Sequence, residues 1–335
     1  MLGIAGGILV VGLGAGLVTA YFGGFQGLIL IGTNGPDELA YVPADARVVA
    51  FVNVREVMDS DLRKALNAVQ RRGPRDASEW ERATGLDLER DIDHVVAASS
   101  GQQRQPPLVL ARGRFDAVRL EGFVRERRGR VETYRGKRVL VAEDGRMGVG
   151  LLEPDLVAAG DPASIRAALD VASGGATSVR SNGDLMRQVR EAHAGSAWAV
   201  ARFDALASDG RMPPAVAQRL PAITWLSATA RVNGGLDASI RAETRDETAA
   251  RDLREIVQGF VALARMQTGA ASGDLSGALD TVQISGAGKT VSVAMNVPLA
   301  LIGRLAAMRP PGPRRPAELP APPAPPAPPA PPSAP

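Results

Sequence analysis

Three acidic side chains alternate along one short segment and are the first candidates for chemistry. Glu89, Asp91 and Asp93 stand at every second position of GLDLERDIDHVV, and His94 follows directly. On an extended chain the three carboxylates share one face and the imidazole lies on the other. Oxygen ligands suit a hard cation, so one hypothesis is an exported hydrolase with a metal or carboxylate centre near Asp91, Asp93 and His94. The segment lacks EF-hand spacing, which favours a solvated approach to a buried strand.

A second group of candidate side chains is strongly basic. Residues 112–138 hold ten Lys or Arg against four Asp or Glu. Such an excess could bind anionic lipid headgroups or an acidic envelope polymer, and a solvated helix face is the alternative. Aromatic stacking partners are scarce, which disfavours nucleic acid. We predict an anionic-partner face made of Arg119, Arg125, Arg127, Arg128, Arg130, Arg135, Lys137 and Arg138.

Other motifs exclude several kinds of site. The chain has no cysteine, which excludes disulfides, thiolate metal sites and a cysteine nucleophile. His193, the only other histidine, stands near a predicted helix end and would interact with the helix dipole. GAGKT at 286–290 lacks the first glycine of a phosphate-binding loop, because Gln283 occupies that position. We therefore predict no catalytic residue, no metal ligand and no cofactor.

Apolar periodicity places these side chains on an α+β fold with mainly antiparallel sheets and packed helices. Asp116 is the predicted N-cap of the basic helix DAVRLEGFVRERRG. RVETYRGKRVLVAED is predicted to form a hairpin that turns at Arg135 and Gly136. The best-patterned helix places apolar residues at i, i+3, i+4, i+7, i+8 and i+11, namely Leu253, Ile256, Val257, Phe260, Val261 and Ala264.

The globular part is predicted to contain two similar subdomains. The first covers residues 46–175, a turn-rich bridge covers 176–195, and the second covers 196–309. Both halves follow the order strand, helix, hairpin, helix, and both carry a Gly-Lys hairpin. This agreement indicates a duplication. The alternative is chance, because two short hairpins often share such a pattern.

Both termini have compositions unlike the globular part. No charged side chain occurs before Asp37, and the apolar run to Ile31 exceeds the roughly 20 residues that span a bilayer. We predict a transmembrane anchor at 1–32 and a linker at 33–45. A cleavable signal peptide is the alternative, although the apolar run is longer than a signal core. Residues 310–335 are Pro-rich, which predicts a disordered tail. Its role could be that of a spacer or of a ligand for another protein.

Several phrases of the sequence resemble one family. GLDLERDIDHVV, GRFDAV, YRGKR, AWAVARFDAL, PAITWLSA, ETRDETAARDLREIVQGFVALARMQ and GAGKTVSVAMNVP occur in this order between Leu39 and Met308. They are similar to a group of uncharacterised bacterial proteins with an N-terminal anchor and an exported domain of unknown function. The resemblance implies a membrane-anchored exported domain and carries no known chemistry. This chain departs from the group in lacking a basic residue before the anchor and in its APP tail.

These observations lead to one expected function. We expect a non-enzymatic, single-pass inner-membrane protein that binds a partner protein or an anionic envelope component. Large C-terminal domains are translocated largely regardless of their own charge, so the globular domain is expected in the periplasm or outside. The N-terminal helix supplies the contact with the membrane, and no nucleic-acid partner is expected.

Overall fold

A computed structural model describes residues 35–64, 79–101, 106–208, 220, 222–232, 234–268 and 273–302. The predicted anchor at 1–32 and the predicted tail at 310–335 lie outside these residues. Within the described part, no helix has both the length and the apolarity to cross a membrane.

All strands among the described residues belong to one antiparallel sheet of twelve strands, which confirms the α+β prediction. The order across the sheet is β11-β12-β10-β9-β8-β1-β2-β3-β7-β6-β5-β4. The strands are β1 (Val48–Val52), β2 (Ile92–Ser99), β3 (Leu108–Gly113), β4 (Arg130–Tyr134), β5 (Lys137–Val141), β6 (Gly148–Glu153), β7 (Leu156–Gly160), β8 (Ala197–Arg202), β9 (Ile223–Arg231), β10 (Gly235–Thr244), β11 (Gln283–Ser285) and β12 (Thr290–Pro298).

The described helices pack on both faces of this sheet. They are α1 (Val54–Asp59), α2 (Glu79–Thr84), α3 (Ala117–Glu126), α4 (Pro162–Ala172), α5 (Gly183–Ala192), α6 (Phe203–Ser208), α7 (Glu247–Thr268) and α8 (Gly273–Asp280). Short 3-10 helices occupy Asp37–Tyr41 and Val179–Ser181. The predicted N-cap Asp116 accepts hydrogen bonds from two backbone amides of α3. The predicted long helix is α7, although Phe260 of its apolar stripe is 41% exposed.

The two halves of the chain share one strand order. β1, β2, β3, β7 and β6 are consecutive in the first half, as are β8, β9, β10, β12 and β11 in the second. The first half adds the β4–β5 hairpin at its outer end. Antiparallel pairing of β1 with β8, in which Phe51 lies opposite Trp198, joins the halves into one continuous sheet. The boundaries of the two subdomains and the duplication stay predictions.

The largest core lies between the sheet and the helices α4 and α5. It includes Phe51, Leu110, Ile165, Leu185 and Trp198, all buried. Smaller apolar clusters cover the opposite face beneath α1, α6, α7 and α8. This placement leaves α3 and the β4–β5 hairpin together at one end of the sheet, where α3 contacts both strands.

The segment that composition predicts as a linker contributes to this core. Leu39 and Val42 are completely buried there. The amide of Val179 donates to the carbonyl of Val42 at 2.8 Å, and the amide of Ala44 donates to Thr177. Residues 35–45 therefore pack on the sheet as part of the globular unit.

Candidate functional site

The first two carboxylates of the acidic segment pair with different arginines. Glu89 lies 2.6 Å from Arg63, which is on the segment after α1. Asp91 lies 2.8 Å from Arg114 and also accepts the backbone amide of Asp87 at 2.9 Å. Both carboxylates therefore neutralise nearby cations in the described structure.

The rest of the segment points to opposite faces of the sheet. Asp93 forms an ion pair with Arg55 of α1. His94 contacts Glu38 on the other face, with 3.0 Å between Nε2 and Oε1. Among the described residues, no three His, Asp or Glu side chains converge in a way that could hold a metal ion. Asp91, Asp93 and His94, the side chains of the hydrolase hypothesis, therefore each contact a different partner.

Glu38 is the buried centre of a charge cluster. We call it the buried charge cluster and define it as Glu38, Tyr41, His94 and Arg112 together with Glu153 and Asp155, which lie nearer the surface. The Glu38 side chain is 1% exposed, and its Oε1 atom accepts from both His94 and Arg112. Its Oε2 atom has no hydrogen-bond partner within the described part of the chain. A buried carboxylate without compensation is very unfavourable, so these two donors hold the 3-10 helix Asp37–Tyr41 against the sheet.

Arg112 connects Glu38 to the surface. Its Nη1 atom lies 2.7 Å from Asp155 and 3.2 Å from Glu153. The hydroxyl of Tyr41 donates to the other oxygen of Glu153. Tyr41 is a neutral donor, and the guanidinium of Arg112 lies between the three carboxylates of Glu38, Glu153 and Asp155.

These contacts shift the protonation of the buried charge cluster. Burial alone raises the pKa of Glu38, but the hydrogen bonds and charge interactions with His94 and Arg112 outweigh burial and lower it to about 2. The hydrogen bond to Glu153, together with burial, raises the pKa of Tyr41 to about 12. Burial lowers the pKa of Arg112, but hydrogen bonds to Glu38 and Asp155 raise it further above its usual range. The carboxylate and the guanidinium are therefore both charged at neutral pH.

Sequence reasoning missed this cluster. Glu38 belongs to a segment with linker composition, and Arg112 is one of the ten basic residues in 112–138. One signal was available, because His94 begins a predicted buried strand and Arg112 lies within another. A buried cation on a strand requires an acidic partner, but the sequence does not say which carboxylate supplies it.

The predicted anionic-partner residues divide between two sides of one sheet edge. Arg119 and Arg125 lie on α3, 61% and 65% exposed, beside Asp116 and Glu121. The guanidinium of Arg127 stacks 4.4 Å from the centre of the Phe123 ring. Arg138 of β5 reaches Glu121 from the same side. The exposed Arg128 is in the turn between α3 and β4, 3.9 Å from Glu143.

The remaining three predicted residues lie on the α4 side of the hairpin. Arg130 contacts Glu132 at 2.6 Å, and Glu132 also binds Arg166 of α4. Arg135 contacts Asp170 of α4 at 2.8 Å. Lys137 is exposed at the start of β5, and by strand alternation its side chain is on the opposite face of the sheet from that of Arg138. The predicted residues therefore surround β4 rather than forming one flat face. We call α3, residues 127–129 and the β4–β5 hairpin the cationic edge.

Two arginines of the cationic edge have an unusual backbone conformation. Arg128 and Arg135 have φ values of 58° and 49°, and no other non-glycine residue of the described chain has a positive φ. Arg128 follows the last turn of α3, where its amide donates to Arg125 and the amide of Gly129 donates to Val124. This is a Schellman motif, which normally has glycine at the Arg128 position. Arg135 and Gly136 form the two-residue turn of the hairpin, where Asn-Gly is preferred.

A polar cavity lies on the second half of the sheet. It measures about 380 Å³ and is bordered by the end of α5 and by β9, β10 and β12. Its charged side chains already have partners: Glu191 binds Arg241, Asp237 binds the amide of Asn296, and Arg231 donates to the carbonyl of Ala194. His193, at the nearby end of α5, is the C-cap residue of that helix, as the sequence indicated. The cavity therefore has no free charged group among the residues described there.

Comparison with known proteins gives no functional assignment. No protein-family model and no curated protein matches this chain. Crystal forms I, III and IV of TP0453 are similar to it at 8%, 8% and 7% identity. They cover 82%, 82% and 86% of this chain and 97%, 98% and 99% of their own, with TM-scores of 0.45, 0.49 and 0.45. Similarity at this level supports no activity, ligand or partner for this chain.

Proposed function

We propose that this chain is a non-enzymatic, membrane-anchored envelope protein that binds an anionic partner at the cationic edge. The partner is a protein segment or an envelope component. The predicted anchor at 1–32 would hold the chain in the inner membrane, with the globular part in the periplasm or outside. A reporter enzyme that is active only after export, fused behind Arg309, tests this orientation, and an inactive fusion would contradict it.

The observation that carries the proposal is the positive φ of Arg128 and Arg135. A left-handed conformation costs an L-residue roughly 1 kcal/mol or more, whereas glycine adopts it freely. Glycine or asparagine would serve both turns better if only folding mattered. Strained backbone clusters at binding and active sites, and here both strained residues carry a guanidinium at the two ends of β4.

The ion pairs of the cationic edge leave room for an anion. Arg125, Arg128 and Arg138 contact carboxylates while 65%, 85% and 59% of their side chains stay exposed. The pair of Arg128 with Glu143 is exposed on both sides, and such a pair is worth about 0–1 kcal/mol. Arg125 and Arg138 share the buried Glu121, but a guanidinium has five N–H donors, so an anion can bind them from the solvent side while both keep that carboxylate.

Vesicle binding tests the proposal. The full chain, held in phosphatidylcholine nanodiscs on a sensor surface, should bind phosphatidylglycerol vesicles and not phosphatidylcholine vesicles, and added salt should weaken the binding. Replacing Arg125, Arg127, Arg128 and Arg130 with Gln should reduce binding about tenfold or more, because each exposed charge near an anionic surface contributes about 1 kcal/mol.

A matched control removes the same charge elsewhere. Arg202, Arg245, Arg251 and Arg254 are exposed or half-buried arginines on β8 and around α7. Their replacement with Gln should leave binding close to that of the parent. Equal binding by the two fourfold variants would show that net charge, and not the cationic edge, attracts the vesicles.

A further inference from the structure

The outer edge of β4 is the end of the sheet at the cationic edge. Tyr134 and Lys137 flank the two-residue turn and lie opposite each other. In such a hairpin the flanking residues exchange backbone hydrogen bonds, and bonded pairs then alternate along the strand. Tyr134, Glu132 and Arg130 therefore bond to β5, whereas the amides and carbonyls of Val131 and Thr133 point outward.

No described strand covers this edge. β4 is the last strand of the sheet, and no described backbone hydrogen bond uses the outward groups of Val131 or Thr133. The opposite end of the sheet is β11, which has only three residues. β4 thus offers a longer edge at which a segment could add as another strand.

The charges around β4 select among possible added strands. Two copies of the chain could pair their β4 strands in antiparallel fashion, with Val131 of each copy opposite Thr133 of the other. The two Glu132 side chains would then lie directly opposite each other. Like charges in that position are destabilising, and the arginines at both ends of each β4 also repel one another. A second copy of this chain is therefore disfavoured at the edge.

An acidic strand meets the reverse situation. Its side chains alternate between the two sheet faces. On the α3 side, the β4 residues Val131 and Thr133 are uncharged, and Arg128 and Arg138 lie near them, so acidic side chains fit there. On the α4 side, Glu132 stands between Arg130 and Arg135 and would repel an acidic side chain directly opposite it, so the alternate residues of the added strand are uncharged there. An extended segment with Asp or Glu at every second position therefore meets cations on one side and avoids Glu132 on the other.

We propose that β4 binds an extended acidic peptide segment of a partner protein by strand addition, through the outward backbone groups of Val131 and Thr133. This inference rests on the proposed function, since it names the partner of the same cationic edge. Backbone hydrogen bonds supply the pairing, and the flanking arginines supply the selectivity for acidic segments.

The test uses the peptide EVEVEVE and the same peptide with N-methyl groups on its three central amides. Both carry the same charge, but the central residues of the methylated peptide cannot donate hydrogen bonds to an edge. The full chain in phosphatidylcholine nanodiscs should bind the unmodified peptide about tenfold more tightly, because that peptide can form at least two more hydrogen bonds with the edge. Hydrogen exchange of the Val131 and Thr133 amides should slow when the unmodified peptide binds.

A protein variant tests the same contact. Thr133→Pro removes the outward amide at a position where proline is compatible with an edge strand. It should bind the two peptides about equally, while Thr133→Ala keeps the preference. The peptide comparison does not depend on whether Thr133→Pro folds.

The outcomes separate the two proposals. If the parent binds both peptides equally, or Thr133→Pro keeps the preference, strand addition is wrong while anion binding stands. The same holds if phosphatidylglycerol vesicles bind and neither peptide does, because the partner is then a lipid surface. If the variant with Arg125, Arg127, Arg128 and Arg130 changed to Gln binds vesicles and peptides as the parent does, both proposals fail.

Discussion

Two groups of charged residues in the first half of the chain differ in how their charge is balanced. In the buried charge cluster, Glu38 and Arg112 are 1% and 22% exposed and neutralise each other directly. In the cationic edge, guanidinium groups are mostly exposed, and two of them are on strained backbone. Burial makes mutual pairing obligatory, whereas exposure lets unbalanced charge persist. We therefore expect the first group to stabilise the fold, whereas recognition by the second group stays a proposal.

Breaking the buried pair should have the largest effect. Arg112→Ala leaves Glu38 with His94 alone, and removal of one partner of a buried ion pair costs about 3–5 kcal/mol. Denaturant unfolding of the full chain in detergent measures the loss. Arg125→Ala, which removes an exposed arginine 3.5 Å from Glu121, is the control and should leave stability nearly unchanged. Similar losses in the two variants would mean that the buried charge cluster does not stabilise the fold.

Acid should reduce the stability that the buried charge cluster contributes. We expect this loss to be smaller than that of Arg112→Ala and larger than the effect of the strain-relieving variants below. The pKa of Glu38 falls from 4.5 to about 2 on folding. A lowered folded-state pKa contributes stability that is complete above pH 4.5 and is lost as the pH falls towards 2. The difference corresponds to about 3 kcal/mol. The unfolding free energy of the parent should therefore decrease more steeply below pH 4.5 than that of Glu38→Gln, whose side chain does not titrate. Parallel pH curves for the two proteins would contradict this assignment.

Relieving strain at the cationic edge should have the smallest effect on stability and the opposite sign. Arg128→Gly and Arg135→Asn replace strained residues with ones that the left-handed conformation suits. Each should raise Tm by about 1–4 °C, since the backbone gain is of the order of 1 kcal/mol. Both variants should bind phosphatidylglycerol vesicles more weakly than the parent. A variant that gains stability and keeps full binding would remove the functional explanation of the strain.

Local features of the chain were predictable because they depend on neighbouring residues. Asp116 caps α3, Arg135 and Gly136 turn the β4–β5 hairpin, and α7 covers the predicted helix. The helical segment within the predicted bridge is α5, whose end carries His193. Each of these follows from capping, turn or periodicity rules that act within a few residues.

The candidate sites were only partly predictable because they depend on strand order and side-chain direction. The run of basic residues is visible in the sequence, but the face that each side chain occupies is not. Arg138 lies on one face of the β4–β5 hairpin and Arg130 and Arg135 on the other, because side chains of a strand alternate between the two faces of a sheet. Likewise, Asp93 and His94 are adjacent in sequence and contact opposite faces of the sheet.

By itself, the sequence determined the α+β class, the helices and hairpins, and the excess of arginine that ends up around β4. Only the tertiary structure decided that the two halves share one sheet and that Glu38 meets Arg112, 74 residues away. The physical reason is that propensity, capping and turn chemistry are local, whereas the partner of a buried charge is set by which strands are neighbours and in which register. Arg128 and Arg135 depend on both. The turns in which they stand form from neighbouring residues, whereas the position of β4 at the edge of the sheet is set by the tertiary structure.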